Sequence, residues 1–231
     1  RLCYPCVMLK NKAVYFCGIS DIIEPNPEWR DYKRKITGNE WDYDFRRLFF
    51  SWTPDITREP FRPWLEIASR EDTCGWITPE DLWVDSENRV HVMWTERAID
   101  ERLRSRFFPK EEQKHSIQYA IIKDGSVILQ KALYTVREGD HILVPQSSAR
   151  FHIARDGRIY VLFHLRKNEK TDIPASENRI LEILNNGEII TQPETVPFNK
   201  AFTRFFTCTP RAGVSGQSKS PTLGRIKITH P

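Results

Sequence analysis

Arg150 and His152 stand two positions apart in the segment Arg150-Phe151-His152-Ile153, a spacing that puts both side chains on one face of a strand. A cation beside an imidazole can carry out proton abstraction next to a carboxylate. The guanidinium neutralises the carboxylate and acidifies the neighbouring C–H, and the imidazole takes the proton. The elimination also needs an acid for the leaving oxygen, for which Tyr4 and Tyr119 are the candidates, while His115 is an alternative base. These are the groups that cleavage of an acidic (uronate) polysaccharide by a lyase requires. A hydrolase would instead use paired carboxylates about 5 to 5.5 Å apart for retention, or wider for inversion. Glu80, Asp81 and Glu96 are the acids available, but residues 80 and 81 are neighbours and alternate across a strand, so only one of them can face a pocket. Arg97, Glu96, Arg204 and Trp41 complete the set as candidate substrate-binding residues.

These residues need a scaffold, and the sequence repeats one. An apolar run, a tight polar turn and a second apolar run recur at residues 6–16, 81–92 and 151–161, and the matching positions Val14, Val90 and Ile159 lie 76 and 69 residues apart. That is the scale of a four-stranded propeller blade carrying long loops. The first blade is expected to use strands at 4–10, 13–20, 44–52 and 64–69, the second 81–84, 89–96, 116–122 and 127–133, and the third 150–154, 158–165, 179–184 and 188–192. A fourth inner strand is expected near 203–208 and a last short strand near 225–229. Asn11-Lys12, Lys123-Asp124-Gly125, Arg155-Asp156-Gly157 and Asn185-Asn186-Gly187 are hairpin turns built from residues that tolerate positive φ.

The links between second and third strands are long, at 21–43, 97–115 and 167–178, and antiparallel order brings all three to one edge of the blades. Long loops on a rigid scaffold usually carry function, so this rim is the expected ligand surface. Tyr4, Glu80, Asp81, Arg150 and Arg204 are expected at its inner-strand starts, and Asp21, Glu96, Arg97 and His115 at the other strand ends. Within the middle loop Ile99, Leu103 and Phe107 recur at helical spacing and predict a short helix.

The run Pro79-Glu80-Asp81-Leu82-Trp83-Val84-Asp85, the following Val90-His91-Val92-Met93-Trp94-Thr95-Glu96, the segment 151–161 and Phe205-Phe206-Thr207-Cys208-Thr209-Pro210-Arg211-Ala212-Gly213 together resemble the BNR-repeat, sialidase-like β-propellers. The resemblance implies an all-β propeller of four-stranded antiparallel blades, here three blades and the start of a fourth, bounded at about 2–70, 78–136, 149–197 and 200–231. It also implies action on, or binding of, a polysaccharide or oligosaccharide, and an extracellular or periplasmic setting. The Asp box of that family, Ser-x-Asp-x-Gly-x-x-Trp, is incomplete at Asp124-Gly125 and at Asn186-Gly187. No local motif assigns the arginine triad or the Tyr-Glu pair of a sialidase. Lyases, other glycosidases and non-catalytic glycan- or protein-binding propellers remain open.

Three blades leave bare strand edges, which natural proteins avoid. Further N-terminal blades are therefore expected, with a closed four-blade ring completed by 203–229 as the alternative. The 35 basic and 31 acidic residues are interspersed, which argues against a nucleic-acid partner. No apolar run approaches the roughly 18 residues a membrane span needs. Cys3-Tyr4-Pro5-Cys6 has the CxxC form, but no second CxxC or paired-His motif supplies the other two ligands of a zinc site. Buried reduced thiols are the expectation, with no metal and no cofactor.

Overall fold

The computed structural model describes residues 1–40, 43–140, 142–154, 156–167, 176–198, 200–201, 205–207 and 226–228. The first sheet begins with β1 (Leu2–Lys10) and β2 (Ala13–Ser20). The following link holds β3 (Ile22–Ile23), α1 (Pro27–Thr37) and β4 (Tyr43–Asp44), and β5 (Arg47–Thr53) and β6 (Leu65–Ser69) complete the sheet. The second sheet comprises β7 (Trp76–Val84), β8 (Val90–Arg97), β9 (Lys114–Lys123) and β10 (Ser126–Arg137), with α2 (Glu101–Phe107) between β8 and β9. The third comprises β11 (Val144–Ile153), β12 (Ile159–Arg166), β13 (Ser176–Ile183) and β14 (Glu194–Thr195). A last pair, β15 (Phe205–Thr207) and β16 (Ile226–Ile228), is antiparallel, and β15 touches β11.

The chain is therefore all-β, built from three four-stranded antiparallel meanders in the order of propeller blades. Their first strands stack on one another, β1 on β7 and β7 on β11. The middle sheet is covered on both sides, so β8 is buried almost throughout and its sequence Val-His-Val-Met-Trp runs apolar without clean alternation, as a fully buried strand should. The hairpin turns do their expected work. Asp124 (φ 49°) and Gly125 (φ 79°) form the two-residue link between paired Lys123 and Ser126, and two positive φ values give the turn a twist that matches that of the strands. At this end of the molecule Lys10 Nζ donates to the Asp85 carbonyl at 2.5 Å and to Asn88 Oδ1 at 2.7 Å, fastening the first sheet to the second.

Several expected boundaries are corrected. Residues 43–44 do not begin the third strand of the first sheet; they pair with Ile22–Ile23, and β5 starts at Arg47. The fourth strand of the third sheet is not 188–192. Only an isolated bridge from Ile189 to Ile183 forms there, and regular pairing resumes at Glu194–Thr195. The larger correction concerns β7 and β11, which start at Trp76 and Val144, several residues before the expected 81 and 150. Pro79 and Pro145, together with polar Thr78, Gln146, Ser147 and Ser148, hide the strand pattern there, and each strand absorbs its proline at a register shift, where a proline is tolerated.

The short helix in the middle loop is present as α2, and the first loop holds α1. Asn26 Oδ1 accepts from the Glu28 and Trp29 amides at 3.0 and 3.2 Å, Pro27 occupies the first turn, and Gly38 (φ 73°) closes the C-terminus, a standard arrangement of cap residues. The two helices meet through Trp29, whose ring centroid lies 5.4 Å from Phe108 and 6.5 Å from Phe107. A buried charge cluster anchors α1: Arg46 Nη1 and Nη2 donate to Glu24 Oε2 and Oε1 at 2.7 and 2.9 Å, and Lys33 Nζ donates to Glu24 Oε2 at 2.9 Å. Burial alone would raise the Glu24 pKa, but these hydrogen bonds outweigh it and hold the carboxyl at about 2.

Candidate functional site

The longer first strands relocate half of the candidate residues. Glu80, Asp81 and Arg150 lie within β7 and β11, below the rim, and His152 lies near the far end of β11. Glu80 is the extra residue of a register shift, since Pro79 pairs with Trp94 and Asp81 already pairs with Met93. That bulge overturns the expectation that neighbours 80 and 81 face opposite ways. Both carboxylates turn to β11: Glu80 Oε2 accepts from the Ala149 amide at 3.0 Å and Asp81 Oδ2 from the Phe151 amide at 2.8 Å. Glu80 Oε1 also accepts from Thr95 Oγ1 at 2.8 Å, and Asp81 Oδ1 from the Leu82 amide at 2.9 Å. Arg150 Nη1 donates to the Glu80 and Ala149 carbonyls and reaches Glu80 Oε2 at 3.5 Å. These three residues staple the second sheet to the third. Burial pushes the Glu80 carboxyl up to about 8, against the lowering effects of Arg150, Thr95 and the Ala149 amide.

Tyr119 is wholly buried, and its hydroxyl lies 2.5 Å from His91 Nδ1, whose Nε2 lies 3.5 Å from Asp85 Oδ2. Burial drives the phenol well above its usual range. It is a core residue with no route to a ligand. Tyr4 is exposed, at φ 47° in a register shift of β1, with its ring 5.8 Å from Phe45. His152 is half-buried on β11 and pairs across to Tyr160 on β12. Trp41 and Arg204 lie outside the described residues. No disulfide joins Cys3, Cys6, Cys17 or Cys74, and among the described residues no three His, Cys, Asp or Glu side chains are grouped to hold a metal ion.

Glu96, Arg97 and His115 do come together. β8 ends at Arg97, which pairs with His115 at the start of β9, and Glu96 pairs with Ser116. They line a cleft of about 430 Å³ at the rim, walled on the other side by Pro145, Gln146 and Ser147 of β11 and floored by Trp76, Thr78 and Thr95. Gly75 sets the height of this corner: a Cβ there would fall 2.4 Å from the Arg97 carbonyl oxygen and 2.5 Å from that of Ala98.

The three ionisable groups have different standing. Glu96 is buried and committed, accepting from Trp94 Nε1 at 3.2 Å, Gln118 Nε2 at 3.0 Å, Ser116 Oγ at 3.3 Å and the Arg70 guanidinium. Arg97 is the opposite. Its Nε is buried with no hydrogen-bond partner, and its guanidinium pairs with no carboxylate among the described residues. Burial, and then the Arg97 charge, lower the His115 pKa, so the imidazole is neutral near pH 7. Trp76 donates from Nε1 to Thr78 Oγ1 at 3.0 Å, which also lies 3.3 Å from Ser147 Oγ, and its ring packs on Phe45 at 4.7 Å. The cleft thus offers an unpaired cation, a neutral base, hydroxyl and amide groups, and an indole. Trp76, Thr78, Gln146 and Ser147 escape the sequence reading because they precede the recognisable strands; the alternation of Trp76 and Thr78 ahead of Pro79 is the one signal that points to them.

No protein-family model matches the chain, and no curated protein matches it. Among solved structures, one match is the crystal structure of the α-L-arabinofuranosidase PaAbf62A from Podospora anserina in complex with cellotriose. It aligns over 83% of this chain and 67% of that one, with 7% sequence identity and a TM-score of 0.26. At that score the likeness carries no argument about the site, and the BNR-repeat resemblance stays a resemblance.

Proposed function

We propose that the rim cleft between the second and third sheets recognises an acidic saccharide, with Arg97 receiving the sugar carboxylate. The observation that carries this reading is that the Arg97 side chain lines the cleft with no carboxylate partner among the described residues. A planar carboxylate is the group whose geometry a guanidinium matches best. The hydroxyls of Thr78 and Ser147 and the amide of Gln146 suit a polyol, and the Trp76 indole suits the apolar face of a sugar ring.

His115 favours a second reading, elimination from the bound uronate. A neutral imidazole beside the neutralising cation is the right base for a C–H made acidic by its carboxylate. Among the described residues lining the cleft none is a tyrosine, so the acid for the leaving oxygen would come from outside it. Hydrolysis by paired carboxylates has less support, because among the described residues Glu96 is the sole carboxylate lining the cleft and its oxygens are committed to four donors.

The test is a binding panel of uronate oligomers and neutral oligosaccharides of equal length, each incubated and then read for the absorbance of an unsaturated sugar. Selective binding of the uronates supports recognition, and new absorbance adds elimination. Equal binding of neutral sugars, or binding of none, removes the proposal.

A further inference from the structure

Arg97 and His115 are shared by two clefts. Beyond them, on the side away from Ser147, lies a second cleft of about 580 Å³, formed where α2, the start of β9, the end of β10 and the β10–β11 turn converge. It has an apolar floor in Val136, Ile142 and Val144, with Ile142 half exposed. Its acids are spoken for. Glu138 accepts from both terminal nitrogens of Arg104, Glu101 accepts from Gln113 Nε2 at 2.6 Å, and Asp140 accepts from the Arg137 amide at 2.8 Å. Arg137 itself is taken by Glu112 at 2.9 Å. What remains uncommitted among the described residues is positive: Arg97 at the shared wall and the exposed Lys167 at the far side.

The geometry points to a ligand that is a chain, bound across both clefts with an internal residue at Arg97 and His115 and a second acidic sugar directed to Lys167. This rests on the reading of the first cleft as an acidic-saccharide site and adds to it the length of the ligand and its second charged contact. A monosaccharide would fill only one side of the shared wall. Two cations separated along a groove, with the intervening acids engaged in hydrogen bonds of their own, suit a polymer that repeats its charge.

The experiment is a calorimetric titration of the full chain with galacturonate and its dimer and tetramer, in the native protein, in Lys167→Ala and in Arg97→Ala. The tetramer should bind native protein about tenfold or more tighter than the monomer, the size of one added charge-assisted contact. Lys167→Ala, a surface change, should lose about that factor for the tetramer and leave the monomer unchanged. Arg97→Ala should weaken every ligand. Affinity that does not rise with length, or a tetramer indifferent to Lys167→Ala, overturns the extended site while leaving the single cleft standing. Absence of binding by all three ligands overturns both.

Discussion

Arg46 and Arg97 stand at two corners of the same rim and are used in opposite ways. Arg46 is almost wholly buried and shares Glu24 with Lys33, and it also donates to Glu71. Through that cluster the first long loop is held down as a helix. Arg97 has no carboxylate partner among the described residues, although its Nε is equally removed from water. A guanidinium matched by buried carboxylates is part of the scaffold, whereas one that lines a cleft without such a partner is available to a ligand.

The two arginines should therefore fail in opposite assays. Arg46→Ala leaves the buried Glu24 without the guanidinium that holds both its oxygens and should cost about 3–5 kcal/mol, measured by urea unfolding. Arg97→Ala should move that midpoint by no more than about 0.5 kcal/mol. A large stability loss in Arg97→Ala would erase the distinction.

The staples between β7 and β11 belong with Arg46. Asp81→Ala deprives the Phe151 and Leu82 amides of an acceptor and should cost about 2–3 kcal/mol, again by urea unfolding, with the rim cleft still able to bind. Gly75→Ala is the case that crosses the boundary. Its new methyl meets the backbone of Arg97 and Ala98, so it should cost about 1–3 kcal/mol and also shift Arg97, lowering affinity for an acidic saccharide. Full affinity in that variant would show that the cleft does not depend on this close approach.

The pH response sharpens the same contrast. Glu24 is held near 2 in the folded chain against an ordinary 4.5, so its contribution to stability is present above pH 4.5 and is lost as the pH falls toward 2. Glu80 runs the other way. With a folded value of about 8, the folded chain keeps a proton that the unfolded chain releases, and stability erodes as pH rises from about 4.5 to 8. Melting temperatures of native protein and Glu80→Gln across that range should converge at the acid end and separate toward pH 8, with the variant higher. Parallel curves would contradict the assignment of Glu80 as a costly buried carboxylate.

The sheets were legible because apolar alternation and turn residues such as Asn11-Lys12 and Asp124-Gly125 act locally. The helix α1 had signals as well, in Asn26-Pro27 and Gly38, but its apolar face is narrow and its anchor is a Lys33–Glu24–Arg46 contact spanning 22 residues, invisible to periodicity. The site was half legible. Glu96, Arg97 and His115 end or begin strands whose limits could be read, so their meeting follows from strand order. Arg150, Glu80 and Asp81 were placed on the rim because Pro145 and Pro79 conceal the true starts of β11 and β7, and a bulge at Glu80 turned two alternating neighbours the same way. Bulges depend on what packs against a strand, which a single segment does not reveal.

The central claim is that Arg97 is held ready for an anionic sugar. Its most direct test is a calorimetric titration of a uronate trimer into native protein and into Arg97→Ala, each matched by a melting curve. The account predicts heat of binding in the native protein, none in the variant, and coincident melting curves. Equal binding by both proteins, or a variant that loses binding only because it has lost its fold, would contradict it.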